Sequence, residues 1–184
     1  MKRLLTGLLA AAMLTGGSVA MTVAQDATPS ALDQLAGSEA SSQADPKIGD
    51  TVVYYGEDGS EIGTVTINSI ERGWDLFDEF YDPEAGTEYV AFVVTVESTI
   101  TRGAIDVEPY DFNLQTANGY LWSTSFASSE EADPPILEDA VSLAAGDAET
   151  FTVVFQVFEG EALAHIFWQP DSGVLITAAQ LEGE

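Results

Sequence analysis

Gly86-Thr-Glu-Tyr-Val-Ala-Phe-Val-Val-Thr-Val-Glu-Ser98 decides the fold. Val90, Phe92, Val94 and Val96 fall on alternate positions, and the residues between them turn polar at Thr95 and Glu97. Successive side chains of a strand point to opposite faces, so this period of two marks a strand that buries one face. A second run, Phe151-Thr-Val-Val-Phe-Gln-Val-Phe158, repeats the pattern with Phe151, Val153, Phe155 and Val157 as its inward set. Both runs are rich in β-branched and aromatic residues, which fit a pleated, half-buried surface.

Working outward, shorter strands are expected at 51–55, 61–70, 104–108, 112–116, 120–123, 164–168 and 174–178. Gly56-Glu-Asp-Gly59 and Ala117-Asn-Gly119 separate two pairs of them. Asp-Gly and Asn-Gly are hairpin signals, because glycine tolerates the positive φ of a tight turn. Two acidic loops, 73–86 and 128–139, carry Pro83 and Pro134-Pro135. No segment reads as a convincing helix. Seven to nine short strands with turn signals between them predict an all-β chain: an immunoglobulin-like antiparallel β-sandwich spanning 48–184.

The residues before it read differently. Lys2 and Arg3 precede an apolar stretch from Leu4 to Leu14, followed by Ser18-Val-Ala20 and Thr22-Val-Ala24. A basic start, a short apolar run and small residues describe an export signal over 1–24, cut after Ala24 or, alternatively, after Ala20. The run falls short of the ~20 residues that span a bilayer. Residues 25–47 are mostly Ala, Ser, Asp, Gln and Gly, a composition that predicts a disordered linker. The chain has no cysteine, which rules out disulfides and the cysteine on which bacterial lipid anchors are built. These features predict a secreted, extracellular protein with no membrane insertion once the signal is removed.

Charge narrows the partners. All 31 acidic residues lie beyond Ala24, where only Lys47, Arg72 and Arg102 oppose them, so the body of the chain carries −28. Such a surface repels phosphate backbones and anionic lipid head groups, which excludes nucleic-acid binding as a main function.

Three segments resemble a family. Tyr81-Asp-Pro-Glu-Ala-Gly-Thr-Glu-Tyr-Val-Ala-Phe-Val-Val-Thr-Val-Glu-Ser98, Tyr110-Asp-Phe-Asn-Leu-Gln-Thr-Ala-Asn-Gly119 and Ala145-Gly-Asp-Ala-Glu-Thr-Phe-Thr-Val-Val-Phe-Gln-Val157 are similar to segments of a bacterial secreted family of unknown function. The resemblance covers about 48–181. It implies an immunoglobulin-like sandwich related in architecture to a small secreted mycobacterial antigen, and it transfers no catalytic residue.

Enzyme signatures are absent: there is no Gly-x-Ser-x-Gly, Ser-x-x-Lys, phosphate loop or His-Glu-x-x-His. His165 is the single histidine, so any catalytic triad must use it, and a zinc site lacks ligands. A non-enzyme without a resident cofactor is expected, serving an unknown protein or surface polymer. Two sets of side chains are candidates for binding. Asp75, Asp78, Glu79, Asp82 and Glu84 share one loop that could hold calcium, which wants six to eight oxygens, although the spacing is not that of an EF-hand. A second acidic loop holds Glu130, Glu131 and Asp133, near Glu138 and Asp139. Trp74, Phe77, Phe80 and Tyr81 form either an exposed aromatic patch for a partner or a helical turn whose rings cap the sandwich edge. A hydrolase built on paired carboxylates is the remaining alternative, and with so many acids chance pairing is expected.

Overall fold

The computed structural model describes residues 44–56 and 58–181; the expected signal and most of the expected linker lie outside them. The described residues form ten strands: β1 (Thr51–Tyr55), β2 (Glu61–Arg72), β3 (Thr87–Ser98), β4 (Ala104–Val107), β5 (Phe112–Thr116), β6 (Leu121–Ser123), β7 (Val141–Ala144), β8 (Ala148–Phe158), β9 (Leu163–Trp168) and β10 (Ile176–Gln180). Helical structure among them is limited to two short 3₁₀ turns, Pro109–Asp111 and Pro170–Ser172. No described helix is long and apolar enough to cross a membrane.

Two four-stranded sheets make the sandwich, in the orders β1-β2-β3-β8 and β10-β9-β5-β6, with β4-β7 as a separate ribbon. All strand pairs in these sheets are antiparallel. The two runs that decide the fold lie side by side: β3 pairs β8 without a register shift from Thr87↔Phe158 to Glu97↔Ala148. That register sets Val90 beside Phe155, Phe92 beside Val153 and Val94 beside Phe151 on one face. All eight inward residues of the two strands are buried, in a core shared with Phe112, Leu114, Ile166 and Trp168 of the facing sheet. Phe112 bridges the layers, with ring centroids 5.9 Å from Phe151 and 6.4 Å from Trp168.

The turns form where glycine permits them. Gly59 and Gly119 adopt φ values of 76° and 86°, left-handed conformations costly for residues with a Cβ. A third glycine is fixed by contact. A Cβ on Gly173 would lie 2.0 Å from the Tyr54 hydroxyl, which accepts the Val174 N–H at 2.9 Å.

Four differences from the sequence reading have physical causes. The tenth strand, β7, was not among those expected; its weak pattern, with Leu143 buried between exposed Ser142 and Ala144, is too short to stand out. The last strand runs to Gln180 and leaves Val174 and Leu175 exposed ahead of it. The folded body also begins earlier than Ile48. Pro46 is buried, its carbonyl accepts the Gln180 N–H at 2.6 Å, and Gln180 Nε2 donates to Asp45 Oδ1 at 2.7 Å. Composition cannot reveal a segment held through its main chain against an edge strand.

The fourth difference concerns residues 74–81, where no helical turn forms. Two of their amides bond across to other elements, Trp74 N–H to the Tyr89 carbonyl at 3.1 Å and Asp78 N–H to the Ser128 carbonyl at 2.9 Å, while Tyr81 N–H closes a single turn on the Asp78 carbonyl. The segment lies over the outer face of β3 and β8. There Trp74, Tyr89, Ala91, Ala127 and Val154 make a second small core, with Phe77, Ala132 and Ile136 packed on it. β3 and β8 are therefore covered on both faces where this outer core sits.

Candidate functional site

The outer edge of β8 would present unpaired main-chain groups, an invitation to aggregation. Two irregular segments cover it. Ser125 N–H donates to the Val154 carbonyl and its Oγ accepts the Gln156 N–H; Leu137 N–H donates to the Thr152 carbonyl, with Ile136 bridged to Thr152 in parallel. Between these segments, the Pro109–Asp111 turn and the loop after β2, an open groove of about 460 Å³ remains. The residues that line it include the aromatic Tyr81, Tyr110 and Phe126 and the acidic Glu108, Glu138 and Asp139.

Tyr110 and Phe126 meet edge to face, centroids 6.2 Å apart and planes at 77°, yet they are 56% and 79% exposed. Hydrogen bonds fix the segments that carry these groups. Thr124 Oγ1 donates to the Pro109 carbonyl at 3.1 Å, Ser128 Oγ to Glu138 Oε1 at 2.9 Å, and Tyr81 N–H to the Asp78 carbonyl at 2.9 Å. Behind Tyr110, Asp111 Oδ2 accepts the Glu108 N–H at 2.9 Å. Burial of Asp111 pushes its carboxyl up to about 6; the Glu108 amide works against this, and the charges of Glu108 and Asp171 add to it.

A charged network closes the neighbouring β2–β3 corner. Arg72 pairs with Glu88 and donates to the Glu161 carbonyl at 2.8 Å, while Glu88 Oε1 also accepts the Gly160 N–H at 2.9 Å. Burial alone would raise the Glu88 carboxyl; the hydrogen bond and charge of Arg72 and the amides of Gly160 and Gly73 outweigh it and hold the carboxyl below its ordinary range.

The sequence candidates are distributed unevenly. Trp74, 4% exposed, belongs to the outer core and Phe77 packs on it, 6.2 Å from Trp74 and 5.3 Å from Tyr89. Phe80 is 86% exposed and stands apart, and only Tyr81 lines the groove. Asp75, Glu79, Asp82 and Glu84 are exposed and Asp78 is half-buried. Among the described residues no three His, Asp or Glu side chains converge as a metal-ready group. His165 shares a hydrogen bond with Gln115 Oε1 at 3.1 Å and stacks on Phe167. Glu138 and Asp139, grouped in sequence with the acidic loop, do reach the groove. Tyr110 and Phe126 were missed. Phe126 did carry a signal: it is the lone large apolar residue within Ser123-Thr-Ser-Phe-Ala-Ser-Ser129, with no periodic partner to pull it inward.

The sequence matches no family model and no curated protein. Solved structures do match. The yjhA protein of Bacillus subtilis aligns with a TM-score of 0.54 at 18% identity, over 74% of this chain and 98% of that one. MPT63, a secreted protein of Mycobacterium tuberculosis, aligns with a TM-score of 0.52 at 15% identity, over 71% and 94%. The ycdA protein of Bacillus subtilis aligns with a TM-score of 0.50 at 16% identity over 66% of this chain, which spans 37% of its length. At such identities the likeness is one of fold: the chain is an all-β, antiparallel sandwich similar in architecture to these bacterial proteins, the secreted MPT63 among them.

Proposed function

We propose that this chain is an extracellular, non-catalytic binding module that takes its ligand, presented by a protein or a surface polymer, in the groove walled by Tyr81, Tyr110 and Phe126. The observation that carries the reading is a pair of large aromatic side chains left in solvent at an open groove. About 460 Å³ falls within the roughly 300–1,000 Å³ of small-ligand sites. Hydrogen-bonded walls lose little freedom on binding, which favours affinity. The export-type residues at 1–24 and the likeness to secreted MPT63 support a place outside the cytoplasm. Catalysis fits poorly. His165 is engaged by Gln115, and Asp111, whose carboxyl has risen toward neutrality as a general acid requires, bonds the main chain and does not line the groove.

Fragment mapping tests this. The ¹⁵N-labelled domain is screened against a library of small organic fragments, and amide shifts are expected to concentrate at Tyr81, Tyr110, Ser125, Phe126 and Glu138. Shifts concentrated instead at the exposed Tyr120, Leu121 and Phe158, or nowhere, contradict it. Turnover of chromogenic glycosides that is lost in Glu138→Gln contradicts the non-catalytic half.

A further inference from the structure

We infer that the groove receives an organic cation, a ligand bearing an alkylated ammonium group, with the faces of Tyr110 and Phe126 against its methyls and the carboxylates of Glu108, Glu138 and Asp139 around its charge. The inference rests on the groove being the binding site, as proposed above. Its ground is complementarity of both charge and surface. Three acidic and three aromatic residues are among those that line the groove, and no Lys, Arg or His is among them. Aromatic rings carry negative faces, and a cation within ~6 Å of a ring centroid gains roughly 0.5–1 kcal/mol when exposed and about 2 when desolvated. Because Tyr110 and Phe126 stand nearly perpendicular, they offer two differently oriented faces to one guest.

The same features discriminate among cations. A hard metal ion wants six to eight oxygens, and no metal-ready carboxylate group exists among the described residues. A primary ammonium is a compact, strongly hydrated charge that seeks direct acceptors. An alkylated ammonium is weakly hydrated and bulky, has few or no N–H groups to satisfy, and gains from rings nearby and carboxylates at longer range. Ser128 holds Glu138 in place by its 2.9 Å hydrogen bond, so part of that negative field is fixed before any ligand arrives.

The experiment titrates the domain with choline and, separately, with 3,3-dimethylbutan-1-ol, which has the same shape without the charge, reading Tyr110 and Phe126 signals by NMR. Choline is expected to bind at least tenfold more tightly. Free lysine is expected to bind more weakly than choline. Phe126→Leu, which keeps apolar surface but removes the ring, should weaken choline about fivefold, and Glu138→Gln about two- to threefold. Glu149→Gln, an exposed acid that does not line the groove, should leave binding unchanged. Equal binding of choline and its neutral analogue overturns the cation assignment while leaving the groove as a site. Weakening by Glu149→Gln equal to that by Glu138→Gln overturns it in favour of the general acidic surface. If fragments bind in the groove and choline does not, the assignment fails alone; if neither binds there, the reading of the groove fails with it.

Discussion

Phe92 and Phe155 meet edge to face at 5.7 Å and 84°; Tyr110 and Phe126 meet edge to face at 6.2 Å and 77°. The two contacts are nearly the same, and their surroundings are opposite. The first pair is 0% exposed between the sheets, while the second stands mostly in water. Ring geometry therefore does not tell a core aromatic from an exposed one. Coverage does, and coverage follows from the chain. Phe92 and Phe155 sit on regular strands whose period aims them into the facing sheet. Tyr110 sits on a 3₁₀ turn and Phe126 on an irregular segment, both outside the strand alternation.

The largest expected effect comes from the sealed pair. Phe155→Ala should cost about 3–5 kcal/mol, transfer and cavity terms together, a fall on the order of 10 °C or more in Tm for a domain of this size. Thermal and urea unfolding measure it. Trp74→Ala sharpens the contrast from the other side of the same strands: as part of the outer core it should cost about 3 kcal/mol, whereas a surface patch residue would cost almost nothing.

Next comes a pH effect beside the groove. The carboxyl of Asp111 lies above its unfolded value, at about 6, so the folded state binds its proton more tightly. Its contribution favours folding at low pH and is lost as pH rises from about 4 through 6. Asp111→Asn should therefore be more stable than the parent at pH 7 by up to about 3 kcal/mol, since one pKa unit corresponds to ~1.4 kcal/mol, with the gap closing below pH 4. Glu88 has the opposite sign. Its lowered carboxyl stabilises the fold above its unfolded value of 4.5, and that contribution is lost as pH falls through the lower folded value. Glu88→Gln should cost about 1–2 kcal/mol at pH 7 and less under acid. The smallest effect belongs to the open pair: Phe126→Ala should change stability by less than about 0.5 kcal/mol.

What the sequence made legible follows the same division. Val90 to Val96 and Phe151 to Val157 were readable because a strand with one buried face must alternate, and the facing sheet enforces it. Gly59 and Gly119 were readable because few residues accept their φ. The groove was not. Tyr81, Tyr110, Phe126 and Glu138 are brought together by bonds such as Thr124 to Pro109 and Ser128 to Glu138, which join positions with no shared period. The loop at 74–81 misled because its spacing of three to four imitates a helix face, while two of its amides are bound by Tyr89 and Ser128 across the fold.

Fluorine NMR on the 4-fluorophenylalanine-labelled domain, with a soluble paramagnetic agent, addresses the contrast between the two ring pairs most directly. Of the nine phenylalanines, Phe126 is predicted to broaden strongly, together with Phe80, while Phe92, Phe112 and Phe155 stay sharp. Protection of Phe126 equal to that of Phe155, or broadening of Phe92 and Phe155, would contradict the account.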